Sequence, residues 1–513
     1  MPSRDLPARP HLDHLKHEAK ALHRAFREGD ANAVHRIRDV LGVRPAVNLT
    51  DVQRVIAREY GFPTWARLRA HVQASRGFDE AIDEFLAAVQ AQDAVRASRV
   101  LRAQPRIATE SLHVAAVLGL ATNARRLIAE DRSRVTARAG DPAADPLLLL
   151  CYSPFHGESA ERDAGLVATA RLLLDAGADP NTSDGRYGVP ALYAVTGVRS
   201  VLPIARLLLD SGANPTDGES VFHAAERFHE DALELLLGAG ADLNHVGDWG
   251  NTPLSFLLRW WDVAREVRVR QGLLWLLHHG ADPNVRCGTE RENALHVAAR
   301  RGQSPAVIRL LVDHGADVHA RRGDGRTAWL LARRGGFDEV AALLESAGAE
   351  TQPLSPPDML LAACGRGDVD AACRLTSFEL VSALAPADRM LLPEAAATGR
   401  GATVAACVAA GFPVDTTDGA GATALHHAAI HGRAPLVRAL LDAGADVGLR
   451  DSEHASSPLG WACFGADHVA DTDGDYEGCV RALLDAGARV RADEHQPQHA
   501  GVRALLEQFS GAR

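Results

Sequence analysis

The stretch that most constrains the fold runs from Gly419 to Arg450 and reads GAGATALHHAAIHGRAPLVRALLDAGADVGLR. Thr423 is a helix-start residue whose hydroxyl can take an orphan backbone N–H. The pattern predicts a short alanine-rich helix over Ala424–His431, closed by Gly432 in a left-handed cap. Pro435 stands in the first turn of a second helix, where proline is tolerated. Leu436, Val437, Leu440 and Leu441 share one side of that helix, and Gly444 ends it. Helices this short are marginal in water. The pair must bury its apolar face against something, and another copy of itself is the simplest partner.

Copies are present. The helix-ending glycine of a G-A-D/N signature recurs at Gly177, Gly212, Gly240, Gly280, Gly315, Gly348, Gly444 and Gly487, with a variant at Gly411. Four of the eight intervals are 33–35 residues, and the 63 residues between Gly348 and Gly411 make close to two units. A Leu-His-x-Ala box recurs at Leu112-His113, Leu295-His296 and Leu425-His426, with Phe222-His223 as a near copy. This resembles the ankyrin repeat: a turn, a T-P-L-H box, two antiparallel helices and a G-A-D loop in about 33 residues. The resemblance covers most of the chain beyond residue 78 and implies an all-α solenoid of about twelve helix-turn-helix units.

A chain of 513 residues is too long for one ordinary core, but a solenoid grows by adding units and escapes that limit. No apolar run approaches the roughly 20 residues needed to span a bilayer, and the N-terminus lacks the apolar centre of a signal peptide. Seven scattered cysteines with no C-x-x-C fit reduced thiols, so a cytoplasmic location without a membrane partner is expected. Lys16 and Lys20 are the chain's only lysines, a bias that with the abundant alanine suggests a GC-rich bacterial genome. The array therefore holds neither a phosphate-loop lysine nor a Schiff-base lysine. The net charge of −11 is uneven, because residues 1–77 carry 14 basic and 8 acidic side chains.

Residues 1–10 read as a disordered N-terminus and 11–77 as a helical module. In the module, Leu12, Leu15, Ala19, Leu22 and Phe26 keep helical spacing, and three further helices follow Asp30, Thr50 and Pro63. About eight repeats occupy 78–350, a proline-rich bend 351–357, about four repeats 358–492 (the first two degenerate) and a capping helix 493–513. Units three, six and twelve carry insertions after Tyr152, Arg259 and Phe464. The module's basic character and its Ala57-x-x-x-Gly61 suggest a DNA-reading helix-turn-helix, but the next helix begins too soon and its apolar residues miss the register. Packing against the first repeat is the better reading.

The candidate chemistry is thin. The resemblance implies that His113, His223, His296 and His426 are architectural, each ring bridging backbone groups of adjacent turns. His427 is left without a role. His11, His14, His17 and His23 keep helical spacing, but no cysteine or suitably placed carboxylate completes a metal site. The run from Asp471 to Glu477 alternates carboxylates as a calcium loop does, yet its glycine is fourth rather than sixth, so it reads as a solvated insertion. No hydrolase or metalloprotease motif is present, and neither catalytic residue, cofactor nor metal is expected.

The resemblance also implies where a ligand would sit: on the turn tips and the two positions after the A-A pair of each first helix. Those positions hold Arg227 and Phe228 in unit five, Arg259 and Trp260 in unit six, Arg300 and Arg301 in unit seven, and Arg334 and Gly335 in unit eight. Trp249 takes the tip of unit six, and Arg186 and Tyr187 that of unit four. Arginine and tryptophan dominate binding hot spots, so the expected role is a non-catalytic scaffold for an acidic partner protein. Two rivals stand beside it: an enzyme or small-ligand binder with a pocket built from the insertions, and a nucleic-acid-associated regulator acting through the module.

Overall fold

The computed structural model describes residues 4, 6, 12–44, 46–185, 188–259, 266–469, 474–489, 491 and 494–511. The described residues are helical, with no named strand among them. None of their helices is long and apolar enough to cross a membrane.

The N-terminal module has the four expected helices, Leu12–Arg27, Ala31–Leu41, Leu49–Glu59 and Trp65–Gln90. Asp30, Asn48 and Thr64 cap the last three, each accepting a backbone N–H from three residues on. Leu15, Leu22, Ile37, Val52, Ile56 and Leu68 form its core. Beside that core the carboxylate of Glu59 takes two hydrogen bonds from Arg36, at 2.9 and 2.7 Å. Part of the module's basic charge is thus neutralised within it. The fourth helix departs from the expected boundary at residue 77: it runs unbroken through Gly77 to Gln90. A glycine inside a helix costs only about 1 kcal/mol, less than is gained where Phe85, Leu86 and Val89 are buried.

The chain divides into two compact units, residues 1–223 with 229–241 and residues 224–228 with 242–513. Each is a run of stacked helix pairs. In the second unit these include Ala294–Arg301 with Pro305–Asp313, Ala328–Arg334 with Asp338–Ser346, and Ala424–Ile430 with Ala434–Asp442. Single antiparallel bridges close the turn before each of these first helices: Cys287 with Glu292, Arg321 with Thr327, Thr417 with Thr423.

The recurring residues acquire distinct jobs. The glycine of the G-A-D loop is left-handed, with φ of 95° at Gly280 and 84° at Gly315, which favours a residue without Cβ. The aspartate binds its own loop, as Asp282 Oδ1 accepts from the Asn284 N–H at 2.8 Å. The asparagine reaches the next repeat. Asn284 Nδ2 donates to the Gly315 carbonyl (2.9 Å) while its Oδ1 accepts from the Asp317 N–H (2.8 Å). Asn181 and Asn244 make the same two-way clasp on Gly212 with Asn214 and on Gly280 with Asp282.

The box histidines His113, His296 and His426 bridge turns. Nε2 of His113, His296 and His426 meets the carbonyls of Ala137, Ala320 and Ser456 at 2.7, 3.0 and 3.2 Å. On the other side of the ring, Nδ1 of His296 and His426 engages the backbone N–H of Asn293 and Thr423. Burial lowers the pKa of all three against the opposing pull of the backbone carbonyls. His223 lies 3.3 Å from Glu219 and edge-on to Tyr193.

Two further expectations are corrected. The bend at 351–357 is shorter than expected, because Pro356 and Pro357 open the helix Pro356–Arg366, where a missing N–H costs nothing. Ser355 caps it in a reciprocal pair with Asp358. In unit three, half of the insertion is helical: Ser159 accepts from the Arg162 N–H and starts the helix at Ala160 rather than Leu166.

Candidate functional site: the inner face of repeats six to eight

The ends of the first helices in repeats seven and eight deliver Arg300, Arg301 and Arg334 to one charged cluster. Arg300 is held on two sides. Its Nε and Nη2 meet the two oxygens of Glu292 at 3.0 Å each, and Nη1 reaches Glu394 at 2.6 Å. Arg301 lies 3.6 Å from the same Glu394. Arg334 forks onto Asp388 at 2.7 and 3.1 Å, and its Nε lies 2.6 Å from Asp358. Arg322 and Arg326, from the turn of repeat eight, complete the set by pairing with Glu292 and Asp388.

Glu394 and Asp388 come from the degenerate repeats. The 376–390 segment between helices Val369–Leu375 and Leu391–Ala397 forms two short helices, Phe378–Ser382 and Pro386–Arg389. It anchors itself by burying Val381 and Leu384, which sets Asp388 against the arginines of repeat eight. The electrostatics follow from this closeness. Burial opposes the charge on Glu292, but Arg300 and Arg322 outweigh it and hold the carboxyl down to about 2. Burial likewise opposes ionisation of Glu394, and Arg301 and Arg300 overcome it. Arg300 is raised: burial works against it, and Glu394 and Glu292 more than compensate.

Arg259, at the end of helix Pro253–Arg259 in repeat six, is different. It is partly buried, and no hydrogen bond or ion pair forms on it within the described residues. Its Nη2 points at the turn tips, 4.0 Å from where a Cβ on Gly288 would stand. Burial, then the neighbouring charges of Arg300 and Arg301, lower its pKa. Among the described residues it is a cation beside cations, without an ion-paired carboxylate of its own.

The other expected contact residues are scattered by comparison. Trp249 stands on the tip of repeat six with 72% of its surface exposed. Arg227 is exposed and Phe228 half-buried in a left-handed conformation, φ 53°. Arg186, Tyr187 and Trp260 lie outside the described residues. Arg300, Arg301 and Arg334 are given a different task from the expected one. Carboxylates of the same chain engage them, so their charges are satisfied before any partner arrives. Sequence reasoning missed Asp358, Asp388 and Glu394, and no motif marks them: Glu394 is 94 residues from Arg300 and Asp388 is 54 from Arg334. His427 gains a place too, 2.8 Å from Asp418 and edge-on to Trp461.

A separate groove of about 640 Å³ lies among the outer helices of the first unit, and Arg125, Arg171, Asp163 and Asp175 line it with alanine and leucine. No histidine or cysteine is among its lining residues.

Comparison with known proteins bears on the array. Sequence profiles described as ankyrin repeats match residues 221–260, 265–353 and 408–459. Ankyrin repeat and SOCS box protein 11 of Danio rerio is 34% identical over 125 residues, 24% of this chain and 38% of that protein. The B-cell lymphoma 3 protein homolog of Mus musculus is 30% identical over 198 residues, 37% of this chain and 42% of that protein. The chain thus spans less than half the length of these curated relatives. The crystal structure of the human ASB11 ankyrin repeat domain aligns with 47% of this chain and 99% of its own at 25% identity, with a TM-score of 0.35. Repeats of this kind are typically non-catalytic modules for binding other proteins. The bridging histidines, the G-A-D loops and the profile matches agree, and the chain is an ankyrin-repeat protein.

Proposed function

We propose that this chain is a non-catalytic scaffold whose inner face, at repeats six and seven, takes an acidic segment of a partner protein. The observation that carries this reading is Arg259, partly buried beside Arg300 and Arg301 and, among the described residues, without an ion-paired carboxylate. A guanidinium in that setting gains most from an incoming carboxylate, because its own desolvation is already in place and its donors are forked to match. Asp388 and Glu394 illustrate the chemistry within the chain, since Glu394 is shared between Arg300 and Arg301 of a first-helix end and Asp388 between Arg334 and the turn residue Arg326. Trp249, exposed on the adjoining tip, offers the large apolar area that hot spots use.

The partner is to be identified by affinity purification from the native host with mass spectrometry, then titrated against the purified chain. Arg259→Ala and Trp249→Ala should each weaken binding by about 1–3 kcal/mol while the melting curve stays unchanged. Wild-type affinity in the double variant would remove the inner face from the mechanism.

A further inference from the structure

The last repeat carries a cluster that the binding face does not use. Helix Pro458–His468 ends on Asp467 and His468, and the segment leading into helix Ala500–Gly511 returns His495 to the same place. One ligand-type atom from each of the three lies within 4.8 Å of the others.

We propose that Asp467, His468 and His495 form a binding site for a divalent transition-metal ion of the zinc class, clipping the C-terminal segment to the last repeat. This goes against the sequence expectation of no metal, which weighed only the N-terminal histidines and the acidic run after residue 470.

The orientation of each group supports it. Nδ1 of His468 lies 3.0 Å from the Phe464 carbonyl, one helical turn back. A carbonyl can only accept, so Nδ1 carries the proton and Nε2 keeps its lone pair. That is the arrangement by which an outer hydrogen bond readies an imidazole for a metal. Asp467 is held from the backbone side: the N–H groups of Gln498 and His499 donate to its two oxygens at 2.7 and 2.8 Å. His495 Nε2 lies 2.8 Å from Asp467 Oδ2 and donates to it. A metal takes the place of that proton, which passes to Nδ1 of the same ring, or to solvent when the ring is doubly protonated. Phe464 packs against both rings, stacked on His468 at 4.3 Å and edge-on to His495 at 5.5 Å, and so fixes their planes.

A simpler reading is an aromatic cluster with one His–Asp pair. It accounts for His495 but leaves the lone pair of His468 without a partner among the described residues. Bonds of about 2.0–2.1 Å in a tetrahedral site place ligand atoms about 3.4 Å apart, a closure that small side-chain rotations supply. Two imidazoles and one carboxylate select zinc, cobalt, nickel or copper over magnesium and calcium, which favour oxygen ligands. Three protein ligands leave the fourth position to water.

The test uses the full chain, freed of metal by a chelator and titrated with zinc by calorimetry and with cobalt by visible absorption. One equivalent should bind, with the visible bands of tetrahedral cobalt. His468→Ala, which alters an exposed ring at a helix end, and His495→Ala should each weaken binding by at least about 100-fold with the circular dichroism spectrum retained. Zinc affinity unchanged in the folded His468→Ala variant overturns the site, as does cobalt that stays octahedral on the wild-type chain. An equal response to magnesium would overturn the choice of metal class.

Discussion

Repeats seven and ten belong to the same compact unit and share the same two-helix plan, yet they are held by different means. Repeat seven is fastened locally. Asn293 caps its first helix, His296 joins that cap to the Ala320 carbonyl, and Asn284 clasps the following loop. Repeat ten has none of these. Its first helix, Leu391–Ala397, starts at Met390 without a side-chain cap, and it contains no histidine. It relies on the burial of Leu392, Ala395 and Ala396 and on Glu394, which is bonded to arginines of repeat seven. Where short-range polar bonds are missing, a long-range charge cluster takes over. The two devices should therefore fail under different insults.

Glu394→Ala should show the largest effect. It strands Arg301 near a buried site while Arg300 retains Glu292, so a loss of about 3 kcal/mol in urea unfolding is expected, the low end for breaking a buried pair. A loss under about 1 kcal/mol would mean that apolar packing alone holds repeat ten. Asn293→Ala should cost less, about 1–2 kcal/mol, for one cap bond and the linked imidazole contact in repeat seven. Amide exchange would localise that loss to repeats seven and eight; a uniform loss over the unit would erase the contrast.

Mild acid should then separate the two devices with the smallest perturbation. The folded pKa of His113, His296 and His426 is lowered, so the unfolded chain binds more protons just below its own histidine pKa. Their contribution is complete above about pH 6.5 and falls away as the pH drops toward the lowered folded values. Glu292 titrates near 2 in the folded chain against an ordinary 4.5, so its contribution persists until the pH falls below that ordinary value. Between pH 6.5 and 5, exchange should accelerate in repeats seven and eleven and not in repeat ten. Simultaneous loosening of all three would refute the division of labour.

The array could be read from the sequence because its signals are local. A left-handed glycine, an asparagine two residues past the aspartate and a histidine three residues into a helix each act within one repeat or on the next. The charge cluster could not be read that way. Arg300 and Arg334 looked like surface contacts because no repeat signature marks Glu292, eight residues before Arg300, and their other carboxylates arrive from units whose repeat pattern has decayed. Arg259 was recognisable as a candidate, but that no carboxylate among the described residues pairs with it is visible only once Glu292 and Glu394 are seen to be committed elsewhere. The Trp65–Gln90 helix escaped for the opposite reason: Gly77 invited a break that the apolar residues beyond it overrule.

The asparagine clasp gives the stack a direction. The loops of Asn181, Asn244 and Asn284 each grip their C-terminal neighbour by a donor and an acceptor at once, and the Asn284 loop is gripped in turn by that of Asn244. Trimming from one end leaves a side chain reaching into water, which hydration readily satisfies. Trimming from the other leaves a main-chain amide and carbonyl without their fastener. A chain so assembled tolerates shortening unequally at its two ends, and its duplicated units join only head to tail.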